Sequence, residues 1–73
     1  MIMIYPDRIT INPEIMGGKP CIRGMQVTVG TIVGLLASGK AELEILSEFP
    51  YLEIEDIRQA LGYAAWRSQE REI

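Results

Sequence analysis

The stretch Gly17–Val29, GGKPCIRGMQVTV, decides how this chain folds. It begins glycine-rich, becomes β-branched, and ends where a helical pattern begins. Paired glycines reach backbone angles that other residues avoid, so MGGKP reads as a turn. Pro20 biases Lys19 toward extended geometry. Cys21-Ile22 and Met25–Val29 read as short strands on either side of a turn at Arg23-Gly24. Upstream, RITINP alternates Ile9 and Ile11 with Thr10 and Asn12, the period of a half-buried strand, and Pro13 ends it. Residues 8–29 therefore read as an extended arm that doubles back as a β-hairpin before the first helix.

From Thr28 the period changes. Val29, Ile32, Val33 and Leu36 recur at helical spacing, and Gly39 follows as a helix C′ residue. A second helix is expected from Ala41 to Phe49, with Leu43, Ile45, Leu46 and Phe49 apolar and Glu42, Glu44 and Glu48 between them. Pro50 stops it. A third helix begins near Glu53 and runs to about Gln69. Its expected inner stripe is Ile54, Ile57, Leu61 and Ala64, and Asp56 in its first turn suits the helix dipole. The expected class is mainly α: one domain over residues 1–73, with an arm at 1–27 and a trihelical region at 28–70.

Seventy-three residues with one cysteine and no histidine leave few staples. A core this small rarely supplies more than about 3–5 kcal/mol of net stability. Cys21 has no partner for an intrachain disulfide, and the usual zinc sites are excluded. Association with a second copy or another partner is the remaining source of stability. The free thiol fits a reducing cytoplasm. MIMIYPDR lacks the basic n-region of a signal peptide, and Val27–Ala37 is too short and too interrupted to span a membrane. A net charge of −3 argues against strong non-specific nucleic-acid binding and suits a basic partner.

Several motifs look like sites and are better read as structure. Gly34–Ala41, GLLASGKA, matches most of a phosphate-binding G-x-x-x-x-G-K-[ST] loop, but Ala41 replaces the magnesium-binding hydroxyl and no preceding strand is expected. A helix ending at Gly39 explains it. GGKP around Lys19 is favoured as a turn over an anion nest. Most acidic residues fall on polar helix faces, as solvated charges do. With no histidine there is no Ser-His-Asp or Cys-His pairing, and Cys21 reads as a small core residue. No enzyme, metal site or cofactor is expected.

The string RITINPEIMGGKPCIRGMQVTV, then LLASG, then ILSEFPYLEIEDIRQALGYA, resembles the DUF433 family over residues 8–65. The family's Asp/Asn-Pro turn matches Asn12-Pro13. Its G-G-x-P-x-I-x-G core matches Gly17, Gly18, Pro20, Ile22 and Gly24. Its Y-P-x-L element matches Phe49, Pro50 and Leu52. Its E-D-I-x-x-A-L-x-Y-A element matches Glu55, Asp56, Ile57, Ala60, Leu61, Tyr63 and Ala64. Where the family commonly has Thr-Arg-Ile-Pro-Val, this chain has Met25-Gln26-Val27-Thr28-Val29. Glu53 stands where a Thr or Ser often caps the third helix. The resemblance implies a homeodomain-like, three-helix helix-turn-helix bundle with an N-terminal β-hairpin arm. It also implies a VapB-type antitoxin role beside a PIN-like nuclease toxin, with operator DNA as a further partner. The glycine motif, with Gly17, Gly18, Pro20, Gly24 and Pro50, is then a structural signature.

In a helix-turn-helix the third helix would present Glu53, Glu55, Arg58 and Gln59 to base edges. Arg58 suits guanine and Gln59 suits adenine, although acidic residues at that end meet phosphates unfavourably. The candidate DNA-binding residues are Arg58, Gln59 and Glu55. Gln59, Tyr63, Trp66 and Glu70 form a separate stripe, and Tyr63 and Trp66 are candidate interface anchors or, equally, a cover for the N-terminal arm within the same chain. Ile9 and Ile11 are candidates for edge-to-edge pairing of two arms in a homodimer. Three functions follow: an antitoxin-like protein restraining a nuclease, a stand-alone DNA-binding module, or a structural or adaptor dimerisation domain.

Overall fold

The computed structural model describes residues 3–4 and 7–69. Three short strands come first: β1 (Met3–Ile4), β2 (Ile9–Ile11) and β3 (Cys21–Ile22). They form an antiparallel sheet in the order β1-β2-β3. Met3 pairs with Ile11, Ile4 with Thr10, Ile9 with Ile22, and Thr10 with Cys21. Three helices follow: α1 (Val29–Ala37), α2 (Glu42–Glu48) and α3 (Ile54–Gln69). The chain is mainly helical with a small N-terminal sheet, as expected.

The helix boundaries have local causes. The Thr28 hydroxyl accepts the Thr31 backbone N–H at 3.0 Å and caps α1. Gly39, at φ +102°, ends it. The Gly39 N–H reaches the Leu36 carbonyl and the Lys40 N–H the Leu35 carbonyl, the paired bonds of a Schellman ending. The phosphate-loop look-alike is therefore a helix terminus. At α2 the Glu44 carboxylate accepts the Ala41 N–H at 2.8 Å, the back-reaching half of a capping box, while alanine has no side-chain acceptor for the other half. Phe49, preceding Pro50, leaves the helical region at φ −124°, ψ 76°.

Five isoleucines build the centre, one from each of β2, β3, α1, α2 and α3: Ile9, Ile22, Ile32, Ile45 and Ile57. All five are fully buried. Each contributes about 1.5–3 kcal/mol by leaving water. Val27, Val29, Leu52, Ala60 and Tyr63 complete the core.

Three expectations need correction. Met25–Val29 is not a strand; it contributes one isolated bridge, Thr28 to Cys21. Thr28 is already the cap of α1, so the chain turns helical before a ladder can grow. β1 was not anticipated, and its presence makes β2 the central strand, with both edges occupied. The inner stripe of α3 is Asp56, Ile57, Ala60 and Tyr63, while Leu61 lies exposed. An inward-facing aspartate has rotated the helix from the orientation its leucine suggested.

Candidate functional site

Asp56 sits in the first turn of α3 with its side chain fully buried. A bare buried carboxylate is costly, so its partners matter. Arg23 grips it as a fork: Nε donates to Oδ1 at 3.0 Å and Nη2 to Oδ2 at 2.9 Å. Arg8 Nη1 donates to Oδ1 at 2.9 Å and to Glu53 Oε1 at 2.6 Å. The Glu53 backbone N–H donates to Oδ2 at 2.8 Å. This last bond is the back-reaching half of a capping box, and it compensates for glutamate being a poor cap.

The cluster joins distant segments. Arg8 precedes β2, Arg23 sits in the turn after β3, and Arg23 Nη2 also donates to the Tyr51 carbonyl at 2.9 Å between α2 and α3. Burial pushes the Asp56 carboxyl up. The bonds from Arg23, the Glu53 N–H and Arg8 outweigh it and hold the group below its ordinary range. Both arginines are held more firmly charged, Arg8 by its bonds to Glu53 and Asp56, Arg23 by its bond to Asp56. Both Asp56 oxygens are engaged, so the arrangement works as a clamp and not as a proton acceptor.

The turn that carries Arg23 is shaped for this. Arg23 has φ +47° and Gly24 φ +74°, and the Met25 N–H donates to the Ile22 carbonyl at 2.8 Å. Two successive positive φ values with that bond describe a type I′ hairpin turn. A non-glycine residue in the left-handed region is uncommon; here the Asp56 fork fixes it. The Gly24 N–H donates to Thr10 Oγ1 at 2.8 Å, tying the turn to β2. Upstream, Gly17 (φ +67°) and Gly18 (φ +85°) make the earlier turn, and the Gly18 and Lys19 N–H groups bond to the Ile15 and Met16 carbonyls. Those donors are engaged, which fits a turn and not an anion nest.

The expected surface residues divide. Glu55 and Arg58 are exposed on α3. Gln59 is half-buried: its Nε2 donates to Glu55 Oε2 at 3.4 Å, and its Oε1 is buried without a hydrogen-bond partner among the described residues. Its amide nitrogen is thus engaged beside Glu55 and its amide oxygen faces inward. Ile9 is fully buried and Tyr63 is 7 % exposed, both within the chain's own core. Ile11 is half-buried on the central strand. Ile9 and Ile11 are therefore packing residues on a strand with no free edge to pair through, and Tyr63 packs into the core from α3. Trp66 is 40 % exposed, with its ring centroid 6.0 Å from that of Tyr63. Glu70 lies outside the described residues.

Cys21 is buried, its Sγ donates to the Lys19 carbonyl at 3.3 Å, and burial pushes its thiol up, as suits a core residue. Among the described residues no group of three or more His, Cys, Asp or Glu could hold a metal ion. The residues that sequence reading missed are Arg8, Arg23 and Asp56 as a unit. A hint was present: Glu53 is a poor cap, and an acid stands three residues after it.

The family model described as "Protein of unknown function (DUF433)" matches residues 9–64. The chain belongs to the DUF433 family. It is similar to the uncharacterised protein y4eO of Sinorhizobium fredii (strain NBRC 101917 / NGR234), at 38 % identity over 56 residues. That match covers 77 % of this chain and 25 % of the relative, so this chain spans a quarter of that longer protein. A crystal structure of a DUF433 member protein from Anabaena variabilis ATCC 29413 has the same fold, with a TM-score of 0.82 and 29 % identity. The overlap covers 89 % of this chain and 64 % of that one.

Proposed function

We propose that this DUF433 chain is a non-catalytic association module of the antitoxin type, which binds a PIN-like nuclease and restrains it. The observation that carries this reading is the charge left on α2 and the start of α3. Arg8, Arg23 and Lys40 are ion-paired to Asp56, Glu53 and Glu48. That leaves Glu44 and Glu55 exposed on these segments, with Arg58 as their exposed cation. A helix-turn-helix that reads DNA needs the opposite balance, because phosphate contacts dominate its affinity. A nuclease holds a polyanion on a basic surface, and an acidic module complements that surface. The same reading has the protein working in the cytoplasm as a homodimer. No described helix is long and apolar enough to cross a membrane.

The test is a pull-down of the tagged chain from its source organism, with captured proteins identified by mass spectrometry and the mass of the free chain measured by light scattering. Recovery of a small nuclease whose activity falls on addition of the chain is the expected result. Recovery of the chain alone removes the antitoxin reading. A second reading, operator recognition through α3, is favoured by the exposure of Arg58. It requires sequence-specific binding that weakens steeply with salt and with Arg58→Ala.

A further inference from the structure

We draw no further inference here: the strongest candidate, the exposed apolar side of α3 at Leu61, Gly62 and Ala65, carries nothing because nothing in the structure shows what covers it.

Discussion

Two ion-paired regions of this chain use the same chemistry with different consequences. At Lys40 and Glu48 one amine meets one carboxylate at 2.7 Å, and both side chains are exposed, at 39 % and 44 %. At Asp56 a carboxylate with no exposure receives two arginines and a backbone N–H. The first pair lies in water, which screens it and keeps either partner content alone. In the second the carboxylate is cut off from water, so losing an arginine leaves a buried charge short of partners. Geometry does not separate them, since both contacts are short. Burial and connectivity do: the Asp56 cluster joins the arm, the hairpin turn and the α2–α3 loop.

The largest expected effect is therefore at Asp56. Replacing it with alanine takes the shared acceptor from Arg8 and Arg23, leaves Arg8 only Glu53 and Arg23 only the Tyr51 carbonyl, and removes the back-reaching cap of α3. A hydrogen bond to a charged group contributes about 1.5–3 kcal/mol, so losing several of them removes most of a net stability that in a core this size rarely exceeds about 3–5 kcal/mol. Asp56→Ala should be largely unfolded at room temperature by circular dichroism. A variant that still melts cooperatively within a few degrees of the parent would show that the isoleucine core suffices without the clamp.

The same group makes stability depend on acid. The folded carboxyl titrates below the 3.8 typical of aspartate. The unfolded state therefore binds the proton first as pH falls, and the folded state loses ground. The contribution is fully present above the unfolded value and is lost as pH drops through the folded one. Urea midpoints should be level near neutrality and fall below about pH 4. Asp56→Asn, which keeps the shape and one acceptor, should be less stable at neutral pH and lose that part of the acid slope. An identical slope in the two proteins would assign the acid sensitivity elsewhere.

Next to the clamp, the core gives a graded comparison. Ile57 follows Asp56 in sequence, is fully buried, and makes no polar contact. Ile57→Val removes one methylene and should cost about 0.5–1.5 kcal/mol. For a domain of this size that lowers the melting temperature by roughly 2–12 °C, at about 4–8 °C per kcal/mol. The pH dependence should be unchanged. A loss as large as that of Asp56→Ala would mean that the clamp and the core act as one cooperative unit.

The fold was legible where a local rule acts alone. Thr28 and Gly39 announced α1, Pro50 ended α2, and the Arg23-Gly24 dipeptide marked the hairpin turn. Each of these depends on the residue's own backbone chemistry. What could not be read were features created by contact across the sequence. Arg8 and Arg23 meet Asp56 across 48 and 33 residues. Nothing in a periodic pattern says that an acid in a helix's first turn will face inward. For the same reason the apolar period points Leu61 inward although it is exposed, and leaves Tyr63 open between an interface and the chain's own core, where burial puts it. The surface candidates were legible only where burial is decided by the helix period alone, as at Glu55 and Arg58. Ile9 and Ile11 were misread because β1 closed an edge that the sequence had left open.

The smallest effect should come from the exposed pair. Glu48 holds the Lys40 amine more firmly charged by a hydrogen bond and by proximity, yet both groups are hydrated in the folded and the unfolded chain. Lys40→Ala removes the contact, leaves Glu48 in water, and leaves the Schellman ending intact, because that ending uses the backbone N–H of residue 40 and not its side chain. Its melting temperature should match the parent within error at low and at high salt. Salt sharpens the contrast, because at about 1 M the screening length is about 3 Å and exposed charges barely interact. The parent should then keep most of the stability that Asp56 confers, since water and ions do not reach that carboxylate. If high salt instead brings the parent down to the level of Asp56→Asn, the clamp is open to solvent, and burial is not what distinguishes the two ion-paired regions.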